Sequence, residues 1–275
     1  MLKEIYHIAV PTAFQDNEAL DTKHTLDHIR QLYNQGIRSV LVCGSTGEQH
    51  SLSLKEKVEL LTALEEEELL VSDMEIIFGV SAIRQSEAEV LAKEISKTNI
   101  AAILLGYPPY LLPTQNEALI YSKSIISLVK KPVILYNNPA RTGFDLSVES
   151  VLELAKSDSV IGLKEAGNSS KASDILRNVS DGVFYIYAGG ERDLLQKIQY
   201  GFSRLSSIAG NIAPIRIQSW FEGLLSGNMI EQKEIDCIND VLETIYNGSP
   251  IVNLKRELSH EGVDLGRCRK PLGNS

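Results

Sequence analysis

The chain is poor in cysteine. Its three, Cys43, Cys237 and Cys268, are odd in number, far apart and without C-x-x-C spacing. They suggest neither a disulfide framework nor a thiolate zinc site, and they suit a reducing cytoplasm. Long apolar runs are also missing: nothing approaches the roughly 20 residues that cross a bilayer. The opening MLKEIYHIAVPT mixes charge with too few apolar residues for a secretory leader, so none is expected. Excess basic charge is absent, with 27 Lys and Arg against 36 Asp and Glu and a formal net charge of −9. Nucleic acid and anionic membranes need clustered cations to neutralise phosphate, so a small-molecule or protein partner is expected instead. No Pro/Gly/Ser-rich linker divides the chain, and the first apolar run leads into VPTAFQ rather than the G-x-G-x-x-G of a dinucleotide site.

What the 275 residues do contain is 43% apolar side chains, enough for a large core. Short β-branched runs alternate with longer amphipathic stretches. IYHIAV, SVLVCG, EIIFGV, AAILLGY, PVILYN, VIGLKEA, FYIYAGG and LSSIAGN read as strands. DTKHTLDHIRQLYNQG, SLKEKVELLTALEEEELL, RQSEAEVLAKEISKT, TQNEALIYSKSIISLVK and SVESVLELAKS read as helices, several preceded by a capping Ser, Thr or Asp. Eight strand-like runs, each followed by a helix, are the pattern of a (β/α)8 TIM barrel, which needs ~250 residues. The barrel is expected over residues 1–226, with residues 227–275 forming C-terminal helices packed on it. The acidic run Glu65 to Glu68 reads as a solvated helix face, and His24 with His28 as a surface pair without a third metal ligand.

In such barrels reactive groups stand where strands end, at the carboxyl face. The second run ends in CGSTGE, the fourth in GYPPY, the fifth in YNNPARTG, the sixth at Lys164 and the seventh in AGGE. Lys164 closes the apolar run VIGL. A lysine held there is poorly solvated, which disfavours its ammonium form and leaves an amine able to attack a ketone. The protonated imine so formed is an electron sink. Proton transfer around it needs an acid/base, and the phenol of Tyr136 ends the neighbouring run. The hydroxyls and backbone N–H groups of GSTGE, including Ser45 and Thr46, suit a carboxylate. Arg141 suits a second one, held bidentately.

These motifs resemble the dihydrodipicolinate synthase and N-acetylneuraminate lyase superfamily of Schiff-base aldolases. The likeness is carried by GSTGE, YNNPARTG, GLKEA and GNIAP, in order along most of the chain. It implies that Lys164 forms the imine with pyruvate or another 2-oxo acid, that Tyr136 is the acid/base phenol, and that Ser45 and Thr46 hold the pyruvate carboxylate, with Ser45 also passing protons. Tyr110 matches a tyrosine that enters a neighbouring subunit's site and completes a hydroxyl relay there. A homodimer or homotetramer follows from that match. Arg141 matches the group that binds aspartate semialdehyde in the synthases, and Gly189 a glycine lining the site. No cofactor and no metal are implied.

Two stretches depart from the synthase pattern: Pro109-Tyr110 where two adjacent tyrosines are common, and Gly190-Glu191 where an acidic pair is common. Both lean towards relatives that cleave or dehydrate keto-deoxy sugar acids. The function expected first is 4-hydroxy-tetrahydrodipicolinate synthase, a metal-independent lyase of lysine biosynthesis. A 2-keto-3-deoxy sugar acid aldolase or dehydratase is the alternative, and a non-catalytic oxo-acid-binding barrel is the alternative of another class. The family's lysine feedback pocket falls on Gln49, Leu54, Lys57, Ser81 and Gln85. These offer a cationic effector few acceptors, so no inhibition by lysine is expected.

Overall fold

Every apolar run becomes a strand because it is buried on both sides, by side chains inside the ring and by helices outside. The structure is a computed structural model and describes residues 2–179 and 182–273. Its strands are β1 (Tyr6–Ala9), β2 (Ser39–Val42), β3 (Glu75–Val80), β4 (Ala102–Gly106), β5 (Val133–Asn137), β6 (Val160–Glu165), β7 (Tyr185–Ala188) and β8 (Arg204–Ser207). Each pairs in parallel with the next. The pairing of β8 with β1, Tyr6 opposite Leu205 and His7 opposite Ser206, closes the (β/α)8 barrel. Alternation along the strands makes two apolar layers. Ala9, Leu41, Ile77, Leu104, Ile134 and Tyr187 fill the interior, while Ile8, Val40, Val42, Phe78 and Ile103 belong to the larger core shared with the helices.

The helices of the barrel are α1 (Thr22–Asn34), α2 (Leu54–Glu65), α3 (Glu68–Asp73), α4 (Gln85–Ile95), α5 (Gln115–Val129), α6 (Pro139–Thr142), α7 (Val148–Leu154), α8 (Lys171–Asn178), α9 (Leu194–Gln199) and α10 (Pro214–Ser226). Side-chain caps explain several starts. Asp21 accepts from the His24 N–H, while Ser53 with Glu56 and Thr114 with Glu117 form reciprocal capping boxes. One expectation needs correction. The stretch ending in EEEELL is two helices, not one. The chain turns at Glu66 and Glu67, which lets Leu70 and Met74 enter the core on the way to β3. Glu67 also receives the Arg30 guanidinium. A second correction concerns His28. It is buried, with Nε2 2.9 Å from Asn211 Oδ1, so of the two only His24 is at the surface.

Two more helices, α11 (Gln232–Tyr246) and α12 (Pro250–His260), pack on the barrel. Ile238 and Ile245 join the main core, and Leu254 and Leu258 pack with Ala13 and Leu265. The polar link is stronger in its consequences. Lys255 Nζ lies 2.9 Å from Glu48 Oε1, with side chains only 3% and 0% exposed. The Arg269 N–H donates to the other Glu48 oxygen at 3.0 Å, and its guanidinium donates to the carbonyls of Ser51 and Glu18 and to Glu56. Glu48 is the last residue of GSTGE and holds a left-handed φ of 52°, a conformation costly for a residue with a Cβ. The C-terminal helices therefore fix the turn that follows β2.

Candidate active site

β5 and β6 lie side by side with Tyr136 opposite Lys164, so their register alone brings the phenol and the amine together. Lys164 is buried, and its Nζ stands 4.8 Å from the centroid of the Tyr136 ring. Gly189, at the end of β7, permits this. A Cβ there would come 2.9 Å from Ala166 Cβ and 3.4 Å from Lys164 Cε. From the turn after β2 comes Ser45, whose Oγ is 3.4 Å from the Tyr136 hydroxyl. A cavity of about 800 Å³ opens above, its wall including Ser45, Pro109, Tyr136, Asn138 and Arg141.

Burial disfavours the Lys164 ammonium and the nearby Arg141 charge adds to this. Tyr136 and Glu191 oppose both, and the net effect holds the amine below the ordinary lysine range. For Tyr136 burial would raise the pKa, but the Lys164 charge, the hydrogen bonds with Ser45 and Asn138 and the Arg141 charge outweigh it. The phenol is held below its ordinary value. The two shifts converge: the amine loses its proton more easily, and the phenol is a better proton carrier, than either would be in water.

The expected residues do not all meet within one chain. Lys164, Tyr136, Ser45 and Gly189 form one cluster. Arg141, on α6, is exposed at the cavity wall, and Thr46 is buried in the same turn as Ser45. Tyr110 is 87% exposed with a left-handed φ of 72°, and among the described residues its hydroxyl bonds to neither Ser45 nor Tyr136.

Three residues at the site were not assigned from the sequence. Asn138 donates to the Tyr136 hydroxyl at 2.7 Å, and the Lys164 amine donates to Ser206 Oγ at 2.8 Å. Glu191 is buried and accepts from Ser207, from the N–H groups of Ile208 and Ala209, and from the Tyr246 hydroxyl of α11. A signal for Ser206 was present. Arg204 and Ser206 alternate on a run otherwise suited to full burial, which places polar groups inside the ring.

The same region explains the departure at Gly190. That residue has φ 136°, and a Cβ on it would stand 2.8 Å from the Tyr246 hydroxyl. The positive φ and the Tyr246 hydroxyl both disfavour a side chain there.

The profile of the Dihydrodipicolinate synthetase family matches residues 3–275. The chain belongs to that family. Among its relatives, the 4-hydroxy-tetrahydrodipicolinate synthase of Methanococcoides burtonii is 29% identical over 266 residues, covering 96% of this chain and 90% of the relative. The synthase of Oceanobacillus iheyensis is 28% identical over 267 residues, with 96% and 89% covered. Dihydrodipicolinate synthase from Aquifex aeolicus superposes with a TM-score of 0.89 at 23% identity, covering 97% of this chain and 91% of that one, and so bears on the fold. The Acinetobacter baumannii enzyme of the family, solved with pyruvate, gives a TM-score of 0.85 at 25% identity over 97% and 91%.

Proposed function

We propose that the protein is a pyruvate-dependent Schiff-base lyase, and specifically a 4-hydroxy-tetrahydrodipicolinate synthase that condenses pyruvate with aspartate semialdehyde. The single observation that carries this reading is the buried Lys164 amine beside the Tyr136 phenol. Desolvation favours the free amine of Lys164 over its ammonium form. That amine adds to the ketone carbon of pyruvate, the proton given up by the Lys164 ammonium is passed through Tyr136 to the ketone oxygen, and loss of that oxygen as water gives the protonated imine. Removing a proton from the methyl carbon gives an enamine, which adds to the aldehyde carbon of the second substrate.

Tyr136 is the proton carrier in these steps, since its hydroxyl is within reach of both Ser45 and Asn138. Ser45 and Thr46 hold the pyruvate carboxylate with the N–H groups of their turn. Arg141, exposed on the cavity wall, receives the carboxylate of aspartate semialdehyde. Gly189 leaves room for the Lys164 side chain. Tyr110 acts in a neighbouring subunit's site: with Leu111 and Leu112 it forms an exposed apolar stretch, 87%, 55% and 61% accessible, that a second copy would cover. A homodimer is therefore the smallest complete unit, and a homotetramer is the assembly the family likeness implies. Three free cysteines suit a cytoplasmic setting.

The sugar-acid alternative rested on Pro109 and Gly190, and the second of these now has a packing reason in Tyr246. A coupled assay with pyruvate separates the two. Turnover with aspartate semialdehyde and none with a panel of 2-keto-3-deoxy sugar acids is expected, and the reverse pattern contradicts the assignment.

A further inference from the structure

Barrels of this kind fill their interior with branched apolar side chains, yet the layer around Lys164 is polar on several sides. Ser206, on β8, is buried, and its Oγ is 2.8 Å from Lys164 Nζ. His7, on β1, is the register partner of Ser206, and its ring lies 5.5 Å from that of Tyr187. Tyr187 is in turn the register partner of Lys164 on one side and Arg204 on the other. Among the described residues, His7 Nε2, the Tyr187 hydroxyl and Arg204 Nε are buried without hydrogen-bond partners. Ser206 is thus the hydroxyl in contact with the reacting nitrogen from within the ring, opposite in origin to the Ser45 and Tyr136 pair at the mouth.

We propose that Ser206 is a further catalytic residue, whose hydroxyl holds one hydrogen of the Lys164 nitrogen throughout imine formation and so directs the nitrogen lone pair outward to the ketone. This rests on the imine reading above. The balance of the step fits a single fixed acceptor. The ammonium carries three hydrogens and the protonated imine one, and the two that leave depart with the ketone oxygen as water. The hydrogen that stays on nitrogen is the one Ser206 accepts before and after condensation. The charged and titratable groups facing this pair are His7 from β1, Tyr136 from β5, Tyr187 and Glu191 from β7 and the segment after it, Arg204 from β8 and Arg141 from α6. His7 is kept neutral by burial and by the Lys164 and Arg204 charges, so it adds no third cation to the layer.

The test compares Ser206→Val with Ser206→Thr, which have nearly the same shape but differ in the hydroxyl. The readouts are the rate of borohydride trapping with pyruvate across pH, and kcat and KM for pyruvate. Loss of the acceptor should slow trapping and kcat by ~10-fold or more in the valine variant, with KM little changed, while threonine stays near wild type. An acceptor stabilises the ammonium more than the amine. Its loss should therefore also move the acid limb of the trapping profile to lower pH, by roughly one unit. A packing defect would produce neither the threonine rescue nor that shift. Ser206→Ala carries the same comparison if the valine variant does not fold. Valine and alanine variants that match wild type in rate and profile overturn the role of Ser206 and leave the imine reading standing. Wild-type protein that is not trapped at all overturns both.

Discussion

Replacing Lys255 with Met keeps the aliphatic stem over the Phe14 ring, 4.5 Å from the ammonium in the native chain, and removes only the charge. Glu48 would then keep one donor, the Arg269 N–H at 3.0 Å, for a carboxylate that is 0% exposed. Breaking a buried ion pair on one side costs about 3–5 kcal/mol because the other charge is left uncompensated. The surviving N–H places the expected cost near the lower figure, ~3 kcal/mol. For a chain of this size each kcal/mol lowers Tm by roughly 2–4 °C, so a fall of about 6–12 °C is expected by calorimetry. The double variant Lys255→Met with Glu48→Gln should recover part of the loss, since no buried charge remains. Glu48 also ends the turn that presents Ser45, so the single variant should trap pyruvate more slowly even well below its Tm. A Tm within about 2 °C of wild type, little more than one surface substitution produces, would refute the reasoning that α12 holds this turn through a buried charge.

Other outcomes follow from the same geometry. Arg141→Ala should lower kcat/KM for aspartate semialdehyde by about 10- to 100-fold, the loss of a charge-assisted pair, and leave pyruvate trapping near wild type; equal losses in both would contradict its place as the second-substrate cation. Millimolar lysine should not inhibit. The Gln49 side-chain oxygen and the Ser81 carbonyl already accept from the buried Lys57 amine at 3.1 and 2.8 Å, and Gln85 is turned to Glu89. Potent inhibition at low lysine concentration would overturn this. Gly190→Asp, which restores the residue type common in synthases, should destabilise the protein by about 2–3 kcal/mol, because φ 136° strains any side chain and the new Cβ meets Tyr246. Pairing it with Tyr246→Phe should relieve the contact but not the strain, and an unchanged Tm in the single variant would show that Tyr246 does not hold this space.

The eight strands could be read from the sequence because each is a short run buried on both faces and bounded by turn residues, so local pattern and tertiary position agree. Lys164 could be read for the opposite reason, as a cation where that pattern asks for an apolar residue. The break between α2 and α3 was hidden because leucines keep their helical spacing across Glu65–Glu68, and only the entry of Leu70 and Met74 into the core ends the helix. His28 misled in the same way: its partner, Asn211, lies 183 residues away and has no local trace. Ser206 was missed because its partner, Lys164, is 42 residues away and meets it only through the register of β6, β7 and β8, whereas Asn138 bonds Tyr136 just two residues back, a contact that no apolar pattern reports. At Gly190 the sequence pointed to a substrate preference, and the structure adds a packing contact the sequence could not show, with a tyrosine from α11 more than 50 residues on.

Lys164 is, on this account, an amine made reactive by its burial. Borohydride reduction in the presence of pyruvate, followed by peptide mass analysis across a pH series, tests it most directly. A reduced pyruvate adduct on Lys164 is expected, forming faster as pH rises and reaching its plateau with a midpoint below the ordinary lysine value. An adduct on a different lysine, or trapping at Lys164 with the midpoint of a free amine, would contradict it.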